Sequence, residues 1–536
     1  MFHSYSRIFV KIRYYAVQRR KQIYCLLCGV TTCGLHIPFL MGTKDISFMA
    51  ENNIASMSEN SCISGESEFS WLDEFGPKFG VSAKNIKILH EPSQFFQNLK
   101  DYTLKATKRI TLASLYIGTG PLEEELISCL HSALEKSDGK VKAKVLVDFT
   151  RGSRGQKNTR TLLLPLLRDF PCDINVALYH TPSLRGWIKT LLPERWNETI
   201  SLTHLKVYLF DNTIILSGAN LSDQYFTNRQ DRYIIFENCP HLADYFDNLV
   251  NTVSTFSFQL RQDNSIVLHQ NWSIHPYEGD KDLFIEKASQ KLEKFTTPNY
   301  KPKPLLECNG AIGDTPNETF KDQSEIDTWI YPLLQMHPLK ITQDENITQL
   351  ILMKATPNST IKLASGYFNL TDQYMDIIIQ GSLANYDILM ASPQVNGFYG
   401  ASGVAGSIPS AYTYIAKKFY ERLQRQKEET RIKLMEYYKD KWTFHVKGLW
   451  YYLPGEKLPS LSLIGSPNFG YRSVYRDLEA QVAIVTNNTK LQEELHFEQQ
   501  RLYDLSKTVN EETFQQADRY VPLWTKLVTM VVKTYF

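Results

Sequence analysis

From residue 70 onward, short apolar runs alternate with stretches whose apolar positions recur every three to four residues. This is the pattern of strands interleaved with helices. Residues 109–116, 141–149 and 174–179 read as strands, the second of the buried type, with its apolar run at 145–147. Residues 123–135 carry helical spacing. Two further strands follow at 204–211 and 213–216, and a helix at 242–256 closes the unit. The order then recurs with a strand at 361–367, a helical stretch at 372–379 and a strand at 386–391. After these come a strand around residue 445, a turn at 465–468 and a strand at 478–485. Leu-Ala-Ser-x-Tyr occurs at 112–116 and again at 363–367, and from its Ser to the next His-x-Lys is 90 residues in the first half and 80 in the second. An internal duplication accounts for both. The fold class expected is α/β, two tandem repeats each built on a mixed sheet flanked by helices.

The remaining segments divide the chain. Residues 1–44 hold seven Lys and Arg and no acid, the composition of a mitochondrial targeting leader. The apolar run at 23–41 is interrupted by Thr31, Thr32, His36 and Pro38, which argues against a membrane span. Residues 45–69 read as a linker, 70–260 as the first repeat and 261–330 as a connector with one helix at 282–294. Residues 331–510 form the second repeat, with a Gly/Ser-rich loop at 395–410, and 511–536 a C-terminal helix. In that helix Trp524, Leu527, Val528, Met530, Val531 and Val532 accompany Lys526 and Lys533, as in docking or interfacial helices. The stretch 184–196 combines Leu184, Trp187, Ile188, Leu191, Leu192 and Trp196 with Arg185, Lys189 and Arg195, and reads equally as an interfacial element or as packing on the core.

Composition narrows the function. The 536 residues are 43% hydrophobic and 22% charged with a net charge of +2, so the chain is globular and bulk charge does not nominate nucleic acid as partner. Of eight cysteines only Cys25-x-x-Cys28 has a redox or zinc spacing, and with no partner pair following it the thiols are expected to be free. The sequon at Asn220-Leu221-Ser222 falls inside the candidate site, which argues against a glycosylated route.

The chemistry concentrates in His204-Leu205-Lys206 and His445-Val446-Lys447. In an extended chain His and Lys share one face and the residue between them turns to the core. Ser217-Gly218-Ala219-Asn220 follows the first pair and Gly465-Ser466-Pro467-Asn468 the second. A carboxylate stands eleven residues after each Asn, Asp231 and Glu479. A phosphate diester repels anions, so its attack needs a neutral nucleophile and cations on its oxygens, which imidazole and ammonium supply. A second imidazole can protonate the leaving oxygen, the two Asn can donate to the phosphate, and each carboxylate can orient the opposite His. Two sets in one chain imply one site made by two halves. Neither metal nor cofactor is required, and no acidic cluster suited to Mg²⁺ is evident. Gly118-Thr119-Gly120 could cradle a phosphate on backbone N–H groups, or be a plain strand–helix turn.

These residues resemble the duplicated His-x-Lys-x4-Asp motif of the phospholipase D superfamily, His204-x-Lys206-x4-Asp211 being a full match. The likeness spans about residues 70–505 and is greatest to its mitochondrial phosphatidylglycerophosphate synthase branch, through 113–118, 216–222, 225–233 and 445–450. It implies two phospholipase D-like domains with one active site at their pseudo-twofold interface, and His204, Lys206, Asp211, His445 and Lys447 as catalytic residues. By the same resemblance, the partners are CDP-diacylglycerol, glycerol 3-phosphate and a membrane surface bound peripherally, at the matrix side of the mitochondrial inner membrane. One His would attack CDP-diacylglycerol to form a phosphatidyl-histidine, His204 being favoured because its motif is complete. Arg229, Arg232, Arg472 and Arg476 are candidates for the acceptor phosphate, or for surface ion pairs with Asp231, Asp477 and Glu479. The second motif departs from the pattern, with Tyr452 where Asp is usual. A diester hydrolase of the same superfamily and a non-catalytic membrane scaffold are the competing functions.

Overall fold

The computed structural model describes residues 65–191, 197–304 and 325–535. The expected leader, most of the linker, the apolar run at 23–41 and part of the connector lie outside them. The strands of the first half are β1 (Phe79–Val81), β2 (Ile86–Leu89), β3 (Arg109–Ala113), β4 (Lys142–Asp148) and β5 (Ile174–Tyr179). They continue as β6 (Val207–Phe210), β7 (Thr213–Ser217), β8 (Arg229–Gln230), β9 (Tyr233–Phe236), β10 (Phe258–Leu260) and β11 (Ile266–Leu268). The second half holds β12 (Thr328–Met336), β13 (Ile341–Thr342), β14 (Thr360–Ser365), β15 (Asn385–Ala391) and β16 (Ile432–Tyr437). It ends with β17 (Thr443–Phe444), β18 (Lys447–Tyr452), β19 (Leu461–Gly465), β20 (Glu479–Thr486) and β21 (Ser506–Thr508).

The two large sheets repeat one topology. The first runs β10-β5-β4-β3-β6-β7-β9-β2 and the second β21-β16-β15-β14-β18-β19-β20-β12, strand for strand in the same order. In each, three neighbouring strands are parallel and the rest antiparallel, so the sheet is mixed. β11 extends the first sheet and β1 the second. That last pairing corrects the boundary expected at residue 70, because Phe79–Val81 lies in register with Thr328–Ile330 of the second half.

Both faces of each sheet are covered, which is why the strands read as continuous apolar runs. Ile110, Leu112, Val145 and Val147 point outward into a core with helices Pro92–Lys105, Pro121–Ser137 and Thr159–Asp169. Ile361, Leu363 and Ile388 do the same beneath helices Gln343–Met353 and Ile408–Gln426. The alternate residues, among them Ala113, Leu146, Ala364 and Leu389, meet in one central core shared by the two halves. Helices Pro240–Thr255 and Thr489–Tyr503, which follow β9 and β20, are built into it. The connector adds Phe284, Ala288, Leu292 and Phe295 to the same core, from helix Lys281–Leu292 and the turn after it.

Local chemistry sets the helix ends. Asn158 accepts from Thr161 N and Asn488 from Leu491 N, supplying side-chain oxygens to otherwise unpaired first-turn donors. Helix Pro121–Ser137 opens on proline and stops at Asp138, whose φ of 49° takes the backbone out of the helix. Of the eight cysteines, Cys129, Cys172 and Cys239 lie among the described residues, and all three are free thiols.

Candidate active site

Each His-x-Lys segment is pinned to the opposite repeat by a short stretch of parallel pairing. His204 N donates to Leu478 O at 2.8 Å and Leu478 N to Leu202 O at 2.9 Å, next to Glu479. In the other half β17 pairs in parallel with β8, and His445 N donates to Gln230 O at 2.9 Å, next to Asp231. The strands proper begin later than the sequence pattern suggests, at Val207 and Lys447, because the residues before them leave their own sheet for these bridges. Leu205 and Val446 are fully buried in the shared core. Lys206 Nζ donates to His204 O at 2.7 Å and Lys447 Nζ to His445 O at 2.6 Å, so each ammonium stays on the side of its own His.

This crossing carries each carboxylate to the opposite imidazole. His204 Nδ1 lies 2.9 and 3.0 Å from the two Glu479 oxygens, and Glu479 also accepts from Ser473 Oγ at 2.7 Å. His445 Nδ1 donates to Asp231 Oδ2 at 2.6 Å. Lys447 Nζ is 2.8 Å from the same nitrogen, but a ring nitrogen holds either a hydrogen or a lone pair. The shorter carboxylate contact takes the hydrogen, and Lys447 is served by His445 O and by Asp231 at 3.4 Å. Nδ1 of each ring is thus the nitrogen that carries the hydrogen, and Nε2 the one left with a lone pair.

Two asymmetries separate the imidazoles. The His204 side chain is 12% exposed and that of His445 6%. Tyr225 and Tyr367 stand edge-on against His445, with the Tyr225 hydroxyl 3.4 Å from its Nε2. Burial above all, and then the adjacent ammonium of Lys206 or Lys447, holds both imidazoles well below the ordinary histidine range. The ammonium of Lys206 acts on His445 and that of Lys447 on His204, so the two sets lie close together. Burial lowers both Lys and raises both carboxyls, each opposed by its partner's charge. A Cβ on Gly218 would stand 2.6 Å from an Asp231 oxygen and 2.7 Å from Lys447 Nζ, so the glycine of the first turn is required by close approach.

The Asn residues hold equivalent places. The Oδ1 atoms of both Asn220 and Asn468 are buried without a hydrogen-bond partner, while Asn220 Nδ2 donates to Tyr225 OH and Asn468 N to Ser473 Oγ. Arg229 sets its guanidinium 4.8 Å from the Tyr225 ring with its Nε donating to Thr443 Oγ1, and no carboxylate among the described residues forms an ion pair with it. The charge of Arg472 also acts on His204, and its guanidinium is held by Asp477 at 2.8 Å and by Glu198 O at 2.6 Å.

Other candidates fall elsewhere. Asp211 occupies the β6–β7 turn, at the far end of β6 from His204, with φ of 51°. Its carboxylate accepts from Thr107 N, Thr107 Oγ1, Lys108 N and Arg109 N at 2.7–3.0 Å, tying the turn to the entry of β3. Tyr452 fills the matching end of β18, bonded to His496 and Gln499 at 3.1 Å, so the missing second Asp leaves the cleft untouched. Asp211→Ala is accordingly expected to lower the stability of the fold by about 1–2 kcal/mol, by removing hydrogen bonds from donors that water can mostly reach, while turnover per folded molecule stays within about twofold. Chemical denaturation alongside an activity titration checks it, and a large loss of turnover at unchanged stability would place Asp211 in the chemistry.

Arg232 is fully buried and spent on Glu498, Ser462 Oγ and Leu463 O, over the Trp450 ring. Arg476 donates to Thr534 O and stacks on Tyr535, away from the acceptor role expected of it. The Gly118-Thr119-Gly120 turn is closed to phosphate, because Gly118 N donates to Leu221 O and Gly120 N to the Glu123 carboxylate, an anion at the turn's centre. In the stretch 184–196, Leu184 is buried and Arg185 donates to Gly279 O, whereas the side chains of Trp187, Ile188 and residues 191–196 lie outside the described residues. The sequence reading gave no site role to Tyr367 or Ser473. Tyr367 was recoverable, as the last residue of the repeated Leu-Ala-Ser-x-Tyr.

Two copies of one mixed-sheet topology, joined over a shared pair of His-x-Lys segments, define a phospholipase D-like protein. The fold matches the crystal structure of phosphatidylserine synthase from Haemophilus influenzae Rd KW20 with a TM-score of 0.65 at 18% identity, covering 88% of this chain and 100% of that one. No family model matches the sequence. Over 498 residues the chain is 48% identical to the mitochondrial CDP-diacylglycerol--glycerol-3-phosphate 3-phosphatidyltransferase of Gallus gallus, covering 90% of this chain and 89% of that protein. The Homo sapiens protein of the same name is 48% identical over 486 residues, covering 89% and 87%. That of Saccharomyces cerevisiae is 33% identical over 481 residues, covering 85% and 88%. The chain belongs to the family of CDP-diacylglycerol--glycerol-3-phosphate 3-phosphatidyltransferases.

Proposed function

We propose that the chain transfers the phosphatidyl group of CDP-diacylglycerol to glycerol 3-phosphate, giving phosphatidylglycerophosphate and CMP, in two displacements at the crossed histidine pair. The observation that carries the mechanism is the exchange of carboxylates between repeats, Glu479 on His204 and Asp231 on His445. With Nδ1–H held by Glu479, His204 directs its Nε2 lone pair at the diacylglycerol-bearing phosphorus, and its greater exposure favours it as nucleophile. The P–N bond forms as the bond to the CMP oxygen breaks, and the Nε2 proton of His445 passes to that oxygen. Burial and Lys447 favour neutral His445, and the anionic diester entering beside it favours the protonated form this step needs. The primary hydroxyl of glycerol 3-phosphate then gives its proton to His445 and displaces His204 from phosphorus, restoring both rings. Lys206, Lys447 and the amides of Asn220 and Asn468 would hold the phosphate oxygens.

Arg229 is the favoured acceptor-phosphate residue, because its guanidinium borders His445 and bears no ion pair among the described residues. Arg472 is the weaker choice, already paired with Asp477. The mitochondrial names of the relatives, the acid-free basic leader and a diacyl substrate support peripheral residence at the matrix side of the inner membrane. Among the described residues no helix is long and apolar enough to cross a membrane.

The full chain in detergent, given CDP-diacylglycerol with and without glycerol 3-phosphate, is expected to release CMP continuously only with the acceptor and to form phosphatidylglycerophosphate. Equal release without acceptor, yielding phosphatidic acid, would make it a hydrolase. No release under either condition would leave a scaffold.

A further inference from the structure

The helix Leu523–Val532 is inside out. Its buried residues are Thr525 and Thr529, one turn apart, while Leu523, Trp524, Leu527, Val528, Met530 and Val531 face outward. Leu523 is 71% and Val531 77% exposed. A helix lying on a protein in water does the reverse, and a contiguous apolar surface of this kind marks an interaction face. After Asp518 the sequence carries no acid, and of its three cations Arg519 is buried against Glu436 and Lys533 pairs with Asp372, which leaves Lys526, without an ion pair among the described residues, as the charge suited to an anionic partner. Tyr520 and Tyr535, both exposed, flank the helix as amphipathic aromatics do at a lipid–water boundary.

The position ties this face to the cleft. Thr534 O accepts from Arg476 Nε at 2.9 Å, Arg476 stacks 3.7 Å from the Tyr535 ring, and Lys533 O accepts from Asn369 Nδ2 at 2.7 Å. Arg476 is followed by Asp477 and Leu478, which accept from Leu202 N and His204 N. The helix is thus fastened to the strand entry that carries Glu479 to His204.

We propose that the apolar face of Leu523–Val532 is the membrane-docking surface, lying flat on a bilayer of anionic phospholipid and setting the cleft mouth where a diacyl substrate enters. The substrate half of that statement rests on the transferase assignment above. Ten residues rise about 15 Å, half a hydrocarbon core, so the helix lies on the bilayer and does not span it.

The test uses the full chain and vesicles of phosphatidylcholine with and without phosphatidylglycerol. Leu527→Glu with Val531→Glu, both at exposed positions, is expected to weaken co-sedimentation with the anionic vesicles at least about tenfold and to leave the melting temperature unchanged. CMP release from vesicle-borne CDP-diacylglycerol falls by a comparable factor, while release from a dispersed short-chain analogue is retained. Trp524→Phe removes a blue shift in fluorescence that vesicles induce in the unaltered chain. Unchanged sedimentation of the double variant overturns the proposal, as does conversion of a dimer to monomers with sedimentation unchanged, which would assign the face to a second copy. If neither substrate form yields CMP from the unaltered chain, the transferase assignment fails while the sedimentation result still decides the docking surface.

Discussion

His204→Ala is expected to lower phosphatidyl transfer by at least about 10⁴-fold and to abolish capture of a labelled phosphatidyl group on the protein. The mechanism offers no second route to the covalent stage, since His445 is walled by Tyr225 and Tyr367 and turns only 6% of its side chain to solvent. His445→Ala removes proton transfer and not the nucleophile, so it should cost about 10²–10⁴-fold and still accumulate label slowly. Rapid quench with CDP-diacylglycerol labelled in its phosphatidyl phosphate separates the two, and label trapped by His204→Ala but not by His445→Ala would exchange the roles. The pH profile follows from the same surroundings. Burial and then Lys206 hold His204 below the ordinary value of 6.5, so its neutral, nucleophilic form survives as pH falls. The acid limb of kcat/KM attributable to this group therefore lies below pH 6.5.

Glu479→Gln should prove nearly as damaging, with kcat down about 10²–10⁴-fold and KM changed little. The carboxylate accepts from Nδ1 and so places the lone pair on Nε2, the atom that attacks. An amide can turn its NH₂ toward Nδ1, which then accepts, and the ring hydrogen moves to Nε2, where no lone pair remains. The loss also strips Lys206 of the carboxylate that most favours its charged form. Asp231→Asn, acting on His445 by the same logic, should depress turnover while sparing slow covalent capture. Steady-state kinetics with melting curves distinguish these effects from misfolding, and a Glu479→Gln protein within tenfold of normal kcat at unchanged stability would contradict the tautomer argument.

Legibility varied by element. Both His-x-Lys pairs, the Asn after each and the matched carboxylates were readable, because a duplicated chemical pattern is improbable as a solvated face. The strand order was partly readable from the repeated Leu-Ala-Ser-x-Tyr. Several strands and helices were not singled out, including β12 and helix Ile408–Gln426, the latter starting inside a stretch read as a Gly/Ser-rich loop. The four Arg could not be sorted, since an arginine facing a phosphate and one buried against Glu498 look alike in one dimension. Nor could Asp211 be placed, because a motif spacing records distance along the chain and not which end of a strand faces the cleft.

The amino-acid sequence by itself determined the α/β alternation, the duplication and the set of groups suited to a phosphate diester, because periodicity and residue chemistry are local properties. The matched offsets already suggested that each acid serves the opposite histidine, and tertiary structure alone decided how the chain brings them together. Asp231 reaches His445 across 214 residues, and Glu479 reaches His204 across 275. Only the parallel bridges between the halves, closed over a common core, bring those side chains within hydrogen-bond reach.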